Sequence, residues 1–552
     1  MRDVPYDSAL TEWSEALGAG HVIVEAPALR AAETGTFAST HRIPAIIRPG
    51  SRQEVQECLR TANRYGVPVY PVSGGRNWGY GSRIPPSDGC VLMDLGRMNR
   101  IVDFSESLAY VTVEPGVTQA QLFAFLEERG SKLWMDSTGA SPQCSLVGNT
   151  VERGFGHTPY GDHFAHICGL EVVLPTGDVV ETGFARFPSA KAASVYNWGV
   201  GPALDGLFSQ SNYGIVTRMT VWLMPRPEYF QAYYFSCDEA ADLRGAIDGL
   251  RPLRLDGTIR SASHIANDYK VISALRQYPW VETGGRTPLQ GALMAQLRKE
   301  LRIGAWNGSG ALYGTKRQVQ EARRLLRQAL RGKAKRLQFL DDRTLHLASL
   351  FAKPYRWISG WDLDRTLALL KPVYGLMKGI PTEHPLASTY WRKAAPPPAH
   401  MDPDRDGCGL FWCSPVAPND GAAASHLTEL VTERVLTHGY EPAISLTMIS
   451  GRALACIISL AYDRQVPGED EKALFCYRDL VELLARNGYY SYRIPATMML
   501  PMREPGSYTS LLHAIKVAVD PQLILAPGRY VQSHSHHEKP AVPLVPLGAD
   551  AL

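Results

Sequence analysis

The sequence lacks the features of membrane, secreted and zinc-binding proteins. No apolar stretch approaches the roughly 20 residues that cross a bilayer. The first 20 residues carry Asp3, Asp7, Glu12 and Glu15 and no apolar run, so they do not form a secretory signal. The nine cysteines include no CxxC pair and no zinc-like spacing. These absences predict a soluble, cytoplasmic protein with reduced thiols and no metal site.

The sequence also lacks an excess of charge of one sign. Its 57 basic and 54 acidic residues leave a net charge of +3, and 45% of its residues are hydrophobic. The short basic run Lys333–Arg336 is interpreted as a solvated helix face. A nucleic-acid partner and a membrane partner are therefore not expected, and 552 residues indicate more than one domain.

The first part of the chain alternates helix and strand. Ser51 and Glu54 have the spacing of a capping box, and the apolar positions that follow predict a helix that ends at Gly66. A strand at Val67–Val72 then leads into a glycine-rich loop. Further strands are predicted at Cys90–Leu95, Tyr110–Val113 and Leu170–Leu174, and a second capping box at Thr118 and Gln121. This alternation is typical of a nucleotide-binding domain.

A pair of prolines marks the main internal boundary. Met224–Pro227 follows a predicted strand at Ile215–Leu223. Beyond it, the predicted elements are a strand at Ala311–Tyr313, a helix at Lys316–Arg331 and a strand at Leu410–Cys413. Pro396–Pro403 is predicted to be a surface loop. The last residues, 533–552, contain three histidines and several prolines and are predicted to form a flexible tail.

Three segments combine glycine with polar side chains: Ser73–Gly81, Gly148–His163 and Leu204–Thr217. Successive backbone N–H groups with little side-chain bulk can surround a pyrophosphate, because the amides supply partial positive charge. Glycine is needed wherever the backbone must touch the ligand. A tight turn would explain one such loop, but three of them predict a large cofactor that carries phosphates.

The sequences of these segments resemble one flavoprotein family. The motifs are SGGRNWGYGS, VGNTVERGFGHTPYGDH, LDGLFSQSNYGIVT with WLMPRP, and LILAPGRY. In this order they are similar to the vanillyl-alcohol oxidase and p-cresol methylhydroxylase family, more so to its p-cresol methylhydroxylase branch, over about residues 40–530. The resemblance implies an α+β fold, in which a two-part FAD-binding domain carries an inserted α/β cap with an antiparallel sheet. The implied division is 1–225 and 496–532 for the FAD domain, 226–495 for the cap, and 533–552 for the tail.

The resemblance also implies the cofactor contacts. Arg529 matches an arginine near flavin N1, where a cation stabilises the reduced ring. Many members tether FAD covalently, and the alignment places Thr389 or Tyr390 opposite the tethering tyrosine. Tyr390 is the candidate tether, and a buried core aromatic is the alternative. The other implied FAD contacts are Ser73, Gly74, Gly75, Arg76, Asn77, Gly79, Gly148, Asn149, Gly154, Gly214 and Ile215.

The implied chemistry is removal of a hydride from the benzylic carbon of a para-substituted phenol. A phenol has a pKa near 10, so the site must favour the phenolate. In the family two tyrosines and an arginine do this, and they match Tyr80, Tyr492 and Arg493. Without the resemblance, the segment 489–493 could equally be an aromatic strand with a surface arginine.

Two departures from the family pattern affect the expected pocket. Ser137–Cys144, the region that carries an acid beside flavin N5 in the oxidase branch, contains no acid. The segment expected to carry paired histidines reads Gly451–Cys456 and contains none. We therefore expect a less polar and larger pocket, in which other residues handle the intermediate.

The sequence thus predicts an FAD-dependent oxidoreductase that acts on a 4-alkylphenol or 4-hydroxybenzyl alcohol through a quinone methide. One alternative is a flavin oxidase or dehydrogenase of a non-phenolic alcohol or a natural-product intermediate. An alternative of another class is a flavin-binding subunit or a non-redox isomerase with structural FAD. The expected partners are a small aromatic substrate, oxygen or a cytochrome-type electron acceptor, and a second copy of the chain in a homodimer.

Overall fold

The computed structural model describes residues 5–289, 291–359, 363–499 and 506–531. The flexible tail predicted at 533–552 lies outside these residues. No helix within them has the length and apolarity to cross a membrane. The helices are α1 (Tyr6–Leu17), α2 (Ala26–Glu33), α3 (Arg52–Tyr65), α4 (Gln119–Glu128), α5 (Leu146–Val151), α6 (Asp242–Leu255), α7 (Asp268–Leu275), α8 (Trp280–Thr283), α9 (Gly291–Leu301), α10 (Lys316–Ala329), α11 (Asp342–Ser359), α12 (Leu363–Leu376), α13 (Gly421–Thr437), α14 (Glu469–Arg486) and α15 (Ser507–Val519).

Two sheets form the first layer system. One has the strand order β1-β2-β4-β3, with β2, β4 and β3 parallel, and α3 buries its apolar face against the same core. The other is antiparallel, in the order β5-β6-β10-β8-β9. The strands so far are β1 (Val22–Ile23), β2 (Ile46–Ile47), β3 (Val69–Val72), β4 (Val91–Asp94), β5 (Ile101–Ser105), β6 (Tyr110–Val113), β7 (Leu133–Trp134), β8 (Ile167–Val173), β9 (Val179–Glu181), β10 (Ile215–Trp222) and β11 (Met224–Pro225), of which β7 pairs with β11.

A large antiparallel sheet follows the two prolines. Its order is β15-β12-β14-β13-β18-β19-β16, with β17 paired to β19. Helices α6, α10, α13 and α14 pack on one face and enclose the largest core, while the other face looks toward the first layer system. Its strands are β12 (Tyr229–Cys237), β13 (Ser263–Asn267), β14 (Trp306–Gly314), β15 (Arg336–Leu340), β16 (Cys408–Cys413), β17 (Val416–Pro418), β18 (Ala443–Met448) and β19 (Ala453–Asp463). The predicted α+β class with an antiparallel cap sheet is confirmed.

The C-terminal segment returns to the first sheet. The backbone N–H of Val69 donates to Ile524 O at 2.8 Å, and that of Ala526 donates to Val69 O at 2.7 Å. Lys516 and Asp520 form a fully buried ion pair behind this contact, 2.6 Å long. We propose on this basis that both chain ends build one domain, with the cap inserted at the predicted boundaries.

The predicted elements exist, and their bounds differ. The strands predicted at 67–72 and 90–95 are shorter, and those at 170–174 and 410–413 begin earlier. The predicted capping boxes are each half formed: Ser51 and Thr118 accept from the backbone as expected. However, the side chain of Glu54 accepts from Gly50 N, and that of Gln121 donates to Asn99 O. Segment 489–493 is not a strand, and only Ser491 bridges, to Pro415.

Candidate active site

A cavity of about 480 Å³ lies between the first layer system and the open face of the cap sheet. Its size is typical of cofactor and substrate sites. All but two of the predicted site residues line it. The lining members are Ser73, Gly74, Gly75, Arg76, Asn77, Tyr80, Gly148, Asn149, Gly154, Gly214, Ile215, Tyr492, Arg493 and Arg529. Gly79 and Tyr390 are not among the lining residues.

Two glycines of the lining pack closely against neighbouring side chains. A Cβ on Gly148 would lie 2.3 Å from Ser73 Oγ, and one on Gly154 would lie 2.2 Å from the Asn149 side chain. A side chain at either position would force Ser73 or Asn149 to move, so glycine leaves these two neighbours where they are. The lining glycines bring backbone to the cavity in place of side chains, which is the kind of surface that a diphosphate requires. We call this surface the glycine wall; it consists of Gly74, Gly75, Gly148, Gly154 and Gly214.

Gly79 has a different role from the one predicted. Its φ is +74°, and a Cβ there would lie 1.7 Å from the Trp412 ring. Trp412 also donates its backbone N–H to Gly79 O at 3.2 Å. Glycine at 79 therefore allows the loop to pack against β16 of the cap, and it positions the adjacent Tyr80 rather than contacting the cavity.

A cluster of buried charges holds the predicted arginines. Glu152 Oε1 accepts from Arg529 Nη2 at 2.7 Å, and Glu152 Oε2 accepts from the Tyr530 hydroxyl at 2.7 Å. Arg493 Nε lies 3.3 Å from the same carboxylate. Burial raises the pKa of Glu152, but the charges of Arg529 and Arg493 outweigh it and hold the pKa at about 2. Glu152 is therefore ionised and serves as the shared counter-ion of Arg493 and Arg529.

The geometry fits FAD. Arg529 is 4% exposed and its Nη1 atom has no hydrogen-bond partner, although it lines the cavity. A buried guanidinium group with a free donor indicates a missing acceptor, since unpaired buried donors are costly. The glycine wall would hold the diphosphate, and Arg529 would face the electron-rich part of the flavin.

The structure brings the three predicted substrate-binding residues together. The Tyr80 hydroxyl forms a hydrogen bond with the Ser414 hydroxyl. The guanidinium carbon of Arg493 lies 4.3 Å from the Tyr80 ring centroid, and Arg493 Nη2 donates to Asn77 Oδ1 at 2.6 Å. Tyr492 is close enough to share a hydrogen bond with Tyr80. These residues come from both domains and converge on one end of the cavity.

The protonation states at this end suit recognition of an anion. Burial raises the pKa of Tyr80 and raises that of Tyr492 well above its usual range, so both hydroxyls stay neutral donors. Arg493 keeps its charge, because Glu152 and the tyrosines outweigh the burial that would lower its pKa. An oxygen atom placed here meets one cation and two hydroxyl groups.

One face of the cap sheet forms the floor of the cavity. His264 of β13 pairs in register with Thr447, and Ser445 pairs with Ile457. His264, Thr447, Ser445 and Ile457 all line the cavity. Ile457 alternates with core residues along β19, so that strand contributes an apolar side chain to the cavity.

Imidazoles nevertheless reach the cavity from other positions. The rings of His157 and His264 stack with centroids 4.3 Å apart, and both line the cavity. Burial lowers the pKa of His157 and lowers that of His264 well below its usual range, so both are neutral. The expectation of a less polar pocket is therefore wrong at these positions. The sequence missed them because His157 and His264 are 107 residues apart and share no motif.

No acid from the loop at 137–144 faces the cavity, in keeping with the sequence. The preceding residue, Asp136, is turned away and accepts from Thr158 N at 2.7 Å and contacts His163 Nε2 at 2.6 Å. Glu152 is the carboxylate that does line the cavity. Glu152 lies within the motif VERG, and the neighbouring sequence does not distinguish it from an acidic residue of a surface loop.

Lys270, on α7, contributes a further cation that the sequence did not indicate. Burial is the sole cause that lowers its pKa, to about 8. Against α7, Arg298 of α9 is paired with Asp268 of α7 itself, and the titratable groups on the other segments packed against the helix are neutral. Burial lowers the pKa of His264 and His384, and it raises that of Tyr313 and Tyr390.

The candidate tether does not reach the cavity. The Tyr390 ring is 2% exposed, and its hydroxyl donates to Asp406 Oδ2 at 2.6 Å. The neighbouring Ser388 and Thr389 line the cavity instead. The structure therefore favours the alternative, a buried core aromatic at 390.

Fold and site together define a two-domain FAD-dependent oxidoreductase. Residues 43–183 match the family described as an FAD binding domain. The chain is 31% identical to the 4-cresol dehydrogenase [hydroxylating] flavoprotein subunit of Pseudomonas putida over 95% of both chains. It is 46% identical to the 1'-carboxy-chondrochloren decarboxylase of Chondromyces crocatus, over 97% of this chain and 99% of that protein.

Solved structures agree with these relatives. Substrate-bound p-cresol methylhydroxylase superposes with a TM-score of 0.85 at 29% identity, covering 96% of this chain and 97% of the other. The 4-ethylphenol oxidase of Gulosibacter chungangensis, in complex with isoeugenol, gives 0.86 at 30% identity and the same coverage. The chain belongs to the p-cresol methylhydroxylase family of flavoproteins, as its motifs predicted, and its cofactor is FAD.

Proposed function

We propose that the protein removes a hydride from the benzylic carbon of a para-substituted phenol. As the benzylic C–H bond breaks, the electron pair of the phenolate forms a C=O bond, and the ring becomes a quinone methide. Bound FAD supplies the two-electron acceptor for the hydride. The step is balanced, because the phenol first releases its proton to solvent and the resulting phenolate then gives up the hydride to that acceptor.

One observation carries this proposal: Tyr80, Tyr492 and Arg493 converge within the cavity that also contains the glycine wall. Arg493 lowers the pKa of a phenol bound beside it, because a buried cation favours the anion. The two tyrosine hydroxyls donate to the phenolate oxygen and stabilise the charge that forms when the phenol loses its proton. The names of two relatives, a 4-cresol dehydrogenase and a 4-ethylphenol oxidase, support a phenolic substrate.

A second candidate is favoured by the 46% identity to a decarboxylase of a natural-product intermediate. Hydride loss from a benzylic carbon also activates a carboxylate on the adjacent carbon. When CO₂ leaves the quinone methide, its electron pair forms a carbon–carbon double bond and restores the aromatic phenolate. The same machinery would then convert a carboxylated alkyl side chain into an alkenyl one.

The remaining features of the function are proposals too. Oxygen or a cytochrome-type protein would reoxidise the flavin, and the chain would form a homodimer. The word "subunit" in the name of the Pseudomonas putida relative supports a protein partner for that relative, and by extension a docked acceptor here.

Anaerobic mixing of the holoenzyme with 4-propylphenol tests the proposal. We expect the visible flavin absorbance to bleach. The matched control is 4-propylanisole, which cannot ionise and should leave the flavin oxidised. Bleaching by a simple alcohol but by no phenol would favour the non-phenolic alternative. No bleaching by either compound would favour a flavin-binding subunit or a non-redox isomerase.

A further inference from the structure

Lys270 is a partly buried cation that the chemistry described so far does not use. It projects from α7 into the cavity. No carboxylate among the described residues lies within ion-pair distance of its ammonium group. The two buried arginines of the cavity wall, Arg493 and Arg529, share Glu152 as a counter-ion. Burying an unpaired charge is costly unless a ligand neutralises it.

The contacts of Lys270 leave room for such a ligand. Its Nζ atom donates to Ser459 Oγ at 3.0 Å and to Ser388 Oγ at 3.4 Å, and it lies 5.0 Å from the Trp412 ring centroid. An ammonium group has three N–H donors, and two are accounted for. Both serine partners are neutral, so they orient the cation without balancing its charge.

Lys270 lies a short distance from the proposed phenolate site. Trp412, which it contacts, and Ser414, which contacts Tyr80, are two residues apart at the end of β16. Two residues of extended chain span roughly 7 Å. That span is comparable to a phenol ring with a short side chain, so one ligand could contact Tyr80 at one end and Lys270 at the other.

We propose that Lys270, oriented by Ser388 and Ser459, binds a carboxylate on the side chain of the substrate. This assignment rests on the proposed phenol oxidation for the other end of the ligand. The substrate class is then a 4-hydroxyphenyl compound whose alkyl chain carries a carboxylate. If CO₂ is lost in the reaction, the product no longer has the carboxylate that Lys270 binds. The product then has a lower affinity for the site than the substrate has.

Binding of two matched probes tests the assignment. The probes are 3-(4-hydroxyphenyl)propanoate and 4-propylphenol, titrated calorimetrically without oxygen into holoenzyme whose flavin has first been reduced with dithionite, so that neither probe can be oxidised. We expect Lys270→Met to reduce the preference for the acid, expressed as the ratio of the two Kd values, by about 10- to 100-fold. Lys270→Arg should retain most of the preference. Lys316→Met, which removes an exposed lysine on α10, should leave it unchanged.

Flavin content and thermal unfolding show whether a variant is folded. If Lys270→Met does not fold, Lys270→Gln replaces it, because the glutamine amide can still donate to Ser388 and Ser459. An unchanged ratio in the folded variant, or a wild-type protein that prefers the alkylphenol, would overturn the assignment. Because a reduced flavin accepts no hydride, binding is measured without turnover. Failure of the phenol oxidation is seen separately, as an oxidised flavin that neither probe bleaches in anaerobic mixing.

Discussion

Replacing Arg493 by methionine is the sharpest test of the proposed phenolate site. Methionine keeps the length and apolar stem of the side chain and removes the charge and all donors. In the wild type, Arg493 stacks 4.3 Å from the Tyr80 centroid and reaches both Asn77 and Glu152. Glu152 retains Arg529 and Tyr530 in the variant, so the flavin side of the charge cluster stays paired.

The expected decrease in the reduction rate follows from the negative charge that forms on the substrate oxygen when the phenol ionises. Removing one donor to a developing oxyanion costs about 3–4 kcal/mol, which corresponds to a reduction rate roughly 100- to 1,000-fold lower. Arg493→Lys should lower the reduction rate less than Arg493→Met does, because lysine keeps the positive charge and lacks only the planar, two-pronged donor geometry of the guanidinium group. FAD binding should change little, because the glycine wall and Arg529 are untouched.

Anaerobic stopped-flow reduction of the flavin by 4-propylphenol measures this rate, and flavin absorbance per chain measures cofactor content. Arg317→Met, at an exposed position on α10, serves as the matched control and should behave as wild type. If Arg493→Met holds a full complement of FAD and is reduced within threefold of the wild-type rate, the role given to Arg493 is wrong.

Four further outcomes are expected. Glu152→Gln should lower the free energy of unfolding by on the order of 3 kcal/mol in thermal denaturation, because two buried cations lose their counter-ion. Gly148→Ala should weaken FAD binding about tenfold or more in a fluorescence titration, because its methyl group meets Ser73 at 2.3 Å. Acid precipitation should leave a colourless protein pellet, and Tyr390→Phe should not change flavin content; a yellow pellet that the variant abolishes would contradict this. Binding of 3-(4-hydroxyphenyl)propanoate should weaken as pH rises through about 8, where free Lys270 loses its charge, whereas a flat pH profile would contradict that lowered pKa.

The sequence predicted elements well where one local rule decides them. The helix after Ser51 follows from its cap and apolar spacing, and the structure places it at Arg52–Tyr65. The strand at Ala311–Tyr313 was predicted too short, because its first half contains glycines. A Cβ at Gly308 would meet the Phe235 ring at 2.0 Å, so glycine there serves cross-strand packing and does not end the strand.

The site depended on long-range contacts that no local pattern encodes. Tyr80 and Arg493 are more than 400 residues apart, and only the resemblance to a family joined them. Lys270 looks in sequence like any polar residue near the start of an amphipathic helix. Its inward direction follows from where α7 packs on the cap sheet, which the one-dimensional pattern does not contain.

The charges of the cavity wall suggest how the two ends of the site cooperate. Among the described lining residues, the cations Arg76, Lys270, Arg493 and Arg529 face one carboxylate, Glu152, since both histidines are neutral. The diphosphate of FAD offsets two of the three excess positive charges and leaves one. A substrate that binds as a carboxylate with a neutral phenol balances that charge. Its phenol then ionises beside Arg493, and the phenolate loses the hydride, so Lys270 serves binding and Arg493 serves the chemistry.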